Sequence, residues 1–233
     1  MERLLDLVIS ARRLAGALAL VLVPVSLFMV FVYAPTDINM GHSQRIFYYH
    51  VGTAWNGYLF FGLVALCSAI YLFTRRERWS GAALAAGELG VLFTTLTLAA
   101  GSLWARPIWN VWWTWDPRLT TTLILWFIYV AYLLIQSGAA ESLRQRRLAA
   151  VVGIIGFVDI PIVHYSAVLW RSIHPTVLRN EGGGMPPEML ATMIVSVFAL
   201  TFVALFLWGE RLAQLDLKER TEQLKERLLP LGG

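Results

Sequence analysis

The chain has 233 residues, of which 58% are hydrophobic and only 15% charged, with a formal net charge of +4 and a pI near 9.5. A soluble domain carries roughly 25% charged residues, so the composition excludes an ordinary soluble fold. The basic balance does not call for nucleic acid, because the placement of Lys and Arg about a membrane accounts for it.

A helix needs roughly 20 mainly apolar residues to cross a hydrocarbon core of about 30 Å. Six windows free of Lys and Arg meet that demand. The first, Leu14 to Tyr33, follows Arg3, Arg12 and Arg13. It is longer than the apolar part of a secretory signal and lacks a small-residue cleavage site, so it is expected as a retained helix. The second, Val51 to Phe73, holds the single cysteine, Cys67, which has no Cys partner for a disulfide or a thiolate metal site and reads as a packing residue. The third runs from Ala82 to Leu103, the fourth from Leu119 to Gln136, the fifth from Leu148 to Trp170 and the sixth from Met189 to Trp208.

Ionisable groups inside such windows are costly and raise a functional question. Glu88 lies near the end of its helix, from which it can snorkel to water. Asp159 and His164 are five apart, on loosely neighbouring faces, and receive no ligand role. Beyond the sixth window, residues 210–229 alternate charge with Leu212, Leu215, Leu217, Leu224 and Leu228. That pattern suits an amphipathic tail, either solvated or docked on a cytoplasmic partner.

Orientation follows from the basic residues. With the N-terminus inside, only Arg45, Arg106, Arg118, Arg171 and Arg179 of the 19 Lys and Arg lie outside. The positive-inside rule then places both termini in the cytoplasm. The expected fold is an all-α membrane protein: one domain of six transmembrane helices in the cytoplasmic (inner) membrane, its neighbouring helices joined as antiparallel hairpins by short charged cytoplasmic connections.

The three external segments, Ala34 to His50, Trp104 to Arg118 and Arg171 to Glu188, hold most of the unusual chemistry. Half of the ten Trp fall between positions 104 and 115. An interfacial belt is one reading, since indoles favour the headgroup level. A belt should line both rims, however, and the cytoplasmic rim offers only Trp79 and Trp208. The alternative is a surface for a large, flat, apolar ring system, which stacked indoles would suit. Histidines share that side: His42 and His50 in the first segment and His174 after the fifth helix, while His164 lies within that helix. Neutral imidazole is a common iron ligand, and two histidines from different loops can approach one metal from opposite sides. Heme propionates favour the planar fork of Arg, which Arg45, Arg118, Arg171 and Arg179 supply, each of them equally able to anchor headgroups. Asp116 either orients an imidazole or caps the fourth helix, with Pro117 at its first position.

On these residues the chain resembles the heme-handling proteins of cytochrome c maturation that carry a tryptophan-rich external domain, and among them the heme exporter protein C family. The resemblance covers most of the chain. Ala34-Pro35-Thr36-Asp37 with Gln44-Arg45-Ile46-Phe47-Tyr48-Tyr49-His50-Val51 looks like that family's first external loop. The run Trp109-Asn110-Val111-Trp112-Trp113-Thr114-Trp115-Asp116-Pro117-Arg118-Leu119-Thr120 looks like its signature, and Pro161-Ile162-Val163-His164-Tyr165-Ser166, leading through Trp170 to His174, like its third loop. Two departures stand out: Asn110 where the family usually has Gly, and the less aromatic and polar Ala167-Val168-Leu169.

The resemblance implies that His50 and His174 are axial ligands of non-covalently held heme. It implies that Trp109, Trp112, Trp113, Trp115 and Asp116 build its platform, and the external charges supply Arg118, Arg45 and Arg171 as candidate propionate partners. It further implies delivery of heme to a periplasmic heme chaperone, and the preferred reading is a heme-delivery protein, not an enzyme, in company with ABC-type membrane and ATPase subunits. The chain has no P-loop, so an ATP-driven step needs another subunit, and no Cys-x-x-Cys-His for covalent heme. The competing readings are a b-type electron-transfer subunit acting with quinone and a structural membrane subunit that docks a periplasmic protein.

Overall fold

In hydrocarbon every backbone N–H and C=O must find its partner within the spanning segment, and an unbroken helix does this by itself. The computed structural model, which describes residues 2–137, 142–170 and 185–228, follows that rule and contains no β-strand among the described residues. Helix α1 (Glu2–Phe28) runs into a π turn over Met29–Tyr33. A 3-10 turn at His42–Gln44 leads directly into α2 (Arg45–Thr74). Helices α3 (Glu77–Trp109) and α4 (Pro117–Ser137) follow. Helices α5 (Leu143–Phe157) and α6 (Asp159–Leu169) share one apolar crossing, and α7 (Pro187–Leu228) ends the described chain. Six segments are therefore long and apolar enough to cross a membrane, as the six windows required, and the chain is a multi-pass membrane protein.

Helix α2 sits at the centre, packed along α3, α5 and α7; α1 lies along α7, and α4 against α3, α5 and α6. Without a hydrophobic drive between helices in lipid, close packing of small residues has to hold them together. Gly90 of α3 shows how close the approach is: a Cβ there would stand 2.4 Å from the ring of Phe61 on α2. The same Phe61 stacks on Tyr129 of α4 at 3.6 Å between ring centroids, nearly coplanar. Tyr129 in turn donates its hydroxyl to the Gly153 carbonyl of α5 at 3.0 Å. Cys67 is buried in this core and unbonded to any other cysteine. The α2–α3 contact also includes a buried Thr97 hydroxyl on Thr53 at 3.0 Å.

The helices run past the windows read from hydropathy, because polar residues at their ends complete helical turns outside the apolar stretch. The largest extension is α7, 42 residues without a break. The segment read as an amphipathic tail continues this last spanning helix without a break. Its first turns pack back on the bundle through Leu212 and Leu215, and residues 217–228 are exposed. Glu88 does not snorkel alone: its two carboxylate oxygens accept from Arg211 of α7 at 2.7 and 2.8 Å. Arg12 pairs with Glu210 at 2.8 Å, and Arg78 reaches Asp6 at 2.7 Å and Asp216 at 3.3 Å. These pairs bring the start of α1, the start of α3 and the far part of α7 to one end of the bundle. Trp79 and Trp208, expected towards that rim, are buried among the core side chains and not open to lipid headgroups.

Candidate functional site

At the opposite end, α3 must stop where α4 has not begun, and two polar residues define the gap. Asn110 takes the left-handed conformation (φ 58°, ψ 21°), and its N–H closes on the Arg106 carbonyl at 3.0 Å. After Gly, Asn is the side chain that best tolerates this region, which explains how Asn110 fills a position where the resemblance expects Gly. Arg106 reinforces the stop by donating to the backbone and side-chain oxygens of Asn110, and its guanidinium lies 5.8 Å from the Trp112 ring centroid. On the other side Asp116, buried, accepts the N–H of Arg118 at 2.9 Å, with Pro117 as the first helical residue of α4. Asp116 therefore makes the N-cap that the sequence allowed.

Between these caps Trp113 and Trp115 meet edge to face at 5.9 Å. Trp112 and Trp115 are 56% and 75% exposed, so their indole faces are open to contact. Trp109 turns the other way, edge-on to Trp104 at 5.9 Å, and Trp104 is buried against Phe47 at 5.7 Å.

His50 belongs to this group. Its ring lies 6.0 Å from that of Trp104, one turn into α2, and Gly101 of α3 leaves room for it. Arg118, half-buried, occupies the first turn of α4, its carbonyl taken by the Thr122 hydroxyl at 2.7 Å. Arg45 stands apart from His50. Five positions apart on a helix of 3.6 residues per turn, the two project about 140° from each other. The Arg45 guanidinium lies 5.7 Å from the ring centroid of Phe31 in the π turn. His164 is exposed on α6, edge-on to Tyr165. His174, Arg171 and Arg179 lie outside the described residues.

The supporting layer escaped the sequence reading. Val30, Phe47, Tyr48, Met189 and Met193 close around Trp104 as a separate apolar cluster. Met189 and Met193, one turn apart at the start of α7, carry the only sequence sign of it, an i, i+4 pair facing one partner. Gly101 was passed over because a glycine within an apolar window carries no hint of which ring needs its space.

Comparisons with known proteins place the chain in a family. Residues 2–227 match the family described as heme exporter protein C. A heme exporter protein C of Haemophilus influenzae is 32% identical over 193 residues, 82% of this chain and 78% of that protein. That of Escherichia coli K12 is 31% identical over 204 residues, 87% of this chain and 83% of its own. A putative cytochrome c biosynthesis ccmC-like mitochondrial protein of Marchantia polymorpha is 32% identical over 182 residues, 78% of this chain and 77% of its own. With its apolar crossings, its capped tryptophan segment and a family match along almost its whole length, this chain belongs to the heme exporter protein C family.

Proposed function

We propose that this chain holds heme at the end of the bundle that carries Trp109 to Asp116 and passes it to a heme chaperone for cytochrome c maturation. The relatives' names support a role in heme handling. The observation that carries the reading here is the placement of His50 beside Trp104, with the open indoles of Trp112 and Trp115 on the adjoining segment. The donor set fits the cargo. An imidazole supplies an iron ligand, exposed indoles supply broad apolar contact for a porphyrin, and Arg118 supplies a propionate partner.

In this reading His50 and His174 bind the iron from two sides. Trp113 braces Trp115, Trp109 ties the platform to Trp104, Asp116 fixes where α4 starts, and Arg171 adds a second cation. A ligand such as His50, near the start of its helix, suits a site that must also release its cargo, and no covalent link is needed. The chain acts as a carrier and not as an enzyme, at the external face of the cytoplasmic membrane, alongside ABC-type membrane and ATPase subunits.

The test is the optical spectrum of purified protein with heme. His50→Ala and His174→Ala should each change it more than His42→Ala, because an axial ligand bonds the iron directly. Equal and negligible effects from all three variants would reject the ligand assignment.

A further inference from the structure

A recess of about 390 Å³ opens on the flank of the bundle between the π turn, the start of α2 and α3. Its walls are Val30, Phe31, Ile46, Tyr49 and Ala100, with His42 and Arg45 completing the lining. The α2 side follows from helical spacing, since positions 42, 45, 46 and 49 fall on one stripe at i, i+3, i+4 and i+7. The stripe is basic at its outer end and apolar further along the helix. At its inner end the Tyr49 hydroxyl is held by Ser26 of α1 at 3.1 Å.

The charge at the outer end is that of Arg45, and the His42 imidazole beside it can hydrogen-bond an anion. Among the described residues neither His42 nor Arg45 has a carboxylate within ion-pair distance, and Arg45 rests on the Phe31 ring. The 3-10 turn at His42–Gln44 feeds α2, so the positive end of that helix's dipole points the same way. A π turn is an uncommon local geometry that concentrates at functional sites, and here it places Val30 and Phe31 in the wall. Beside the recess Phe28, Val32 and Tyr33 are exposed on a helix long and apolar enough to span the membrane, so this flank meets hydrocarbon.

We infer that the recess is a binding site for one anionic phospholipid, its phosphate on Arg45 and His42 and an acyl chain along Val30, Phe31, Ile46, Tyr49 and Ala100. A cationic mouth above an apolar wall, facing lipid, matches that amphiphile in both charge order and position. The inference removes Arg45 from the heme contacts expected of it, and it does not depend on heme being bound at His50.

The test uses the full chain, delipidated in detergent and titrated with phosphatidylglycerol or phosphatidylcholine, with retained lipid counted by native mass spectrometry. One phosphatidylglycerol should be held in preference to phosphatidylcholine. Arg45→Gln should weaken that binding about fivefold, as expected for loss of one interfacial cation, and Arg45→Lys should restore much of it. Ala100→Leu, which fills the recess from the α3 side, should reduce retention of phosphatidylglycerol even with Arg45 intact. Helical content and elution profile establish that each variant is folded. Equal retention of the two lipids, or unchanged retention in both Arg45→Gln and Ala100→Leu, would overturn the assignment. So would displacement of the lipid by inorganic phosphate alone, which would mark an anion site without an acyl chain. Displacement by heme in one-to-one amount would assign the recess to the cargo instead.

Discussion

The imidazole of His50 faces the indole of Trp104 at 6.0 Å and a tilt of 43°, and a Cβ added at Gly101 would come within 3.1 Å of its Cε1. The ring is thus confined between a buried aromatic and a helix backbone that comes close only because residue 101 has no side chain. Gly101→Ala requires a shift of a few tenths of an ångström, and Gly101→Val a larger one. If His50 binds iron, the heme spectrum should change slightly in the first variant and approach that of His50→Ala in the second. An unaltered spectrum in Gly101→Val, at matched membrane abundance, would separate the imidazole from the iron.

The open indoles allow a cleaner test than the buried ones. Trp112→Ala and Trp115→Ala remove rings that are largely exposed, so the bundle should insert and fold as before. One aromatic stacking contact contributes about 0.5–1.5 kcal/mol, and each variant should hold heme roughly two- to tenfold more weakly. Trp79 and Trp208 are poor controls because both are core residues. Trp55, half-exposed within α2, serves instead, and Trp55→Ala should leave loading unchanged. Equal heme titrations for all three variants would favour an interfacial belt.

Helix contact in the core has its own test at Gly90. Its Cβ position falls 2.4 Å from the Phe61 ring, which is itself stacked on Tyr129 and cannot retreat. Gly90→Leu should destabilise the bundle by about 1–3 kcal/mol, the usual range for overpacking, or more. Thermal unfolding in detergent reads the loss as a lower midpoint, and wild-type stability in this variant would contradict the close α2–α3 contact.

The charge asymmetry makes a statement about sidedness. Reporters fused at the C-terminus or within Thr74 to Arg78 should report the cytoplasm, and one placed between Arg179 and Pro186 the opposite side. An external C-terminus would defeat the orientation and move the tryptophan end to the wrong compartment for the proposed delivery.

How much could be read in advance differs between fold and site. The six crossings were legible because the bilayer sets a length and a composition that each window had to meet. The extent of α7 was not, since hydropathy ends at Trp208 while the helix continues through residues that Arg211, Leu212 and Asp216 tie to the bundle. Asp116 and Pro117 were legible as a cap because capping is a local matter of a few residues. The neighbours of Trp104 were not, since they come from the start of α2, the π turn and the start of α7, and only packing brings them together. Arg45 was read as a propionate partner because it falls on the external face with the other arginines. The direction of its side chain, about 140° from that of His50 around α2, could be read only once the helix was seen to begin at Arg45.

Asn110 and Asp116 do more than mark where two helices end. Because each is locked to its helix by hydrogen bonds, the five residues between them are a short span anchored at both ends. Anchoring both ends of so short a span narrows the conformations it can sample, so part of the ordering entropy of its three tryptophans falls on folding and less remains to be lost when a ligand arrives. A preorganised surface of this kind captures and releases by making and breaking contacts alone, without a loop having to order first. Its exchange rates are then set by the strength of the contacts.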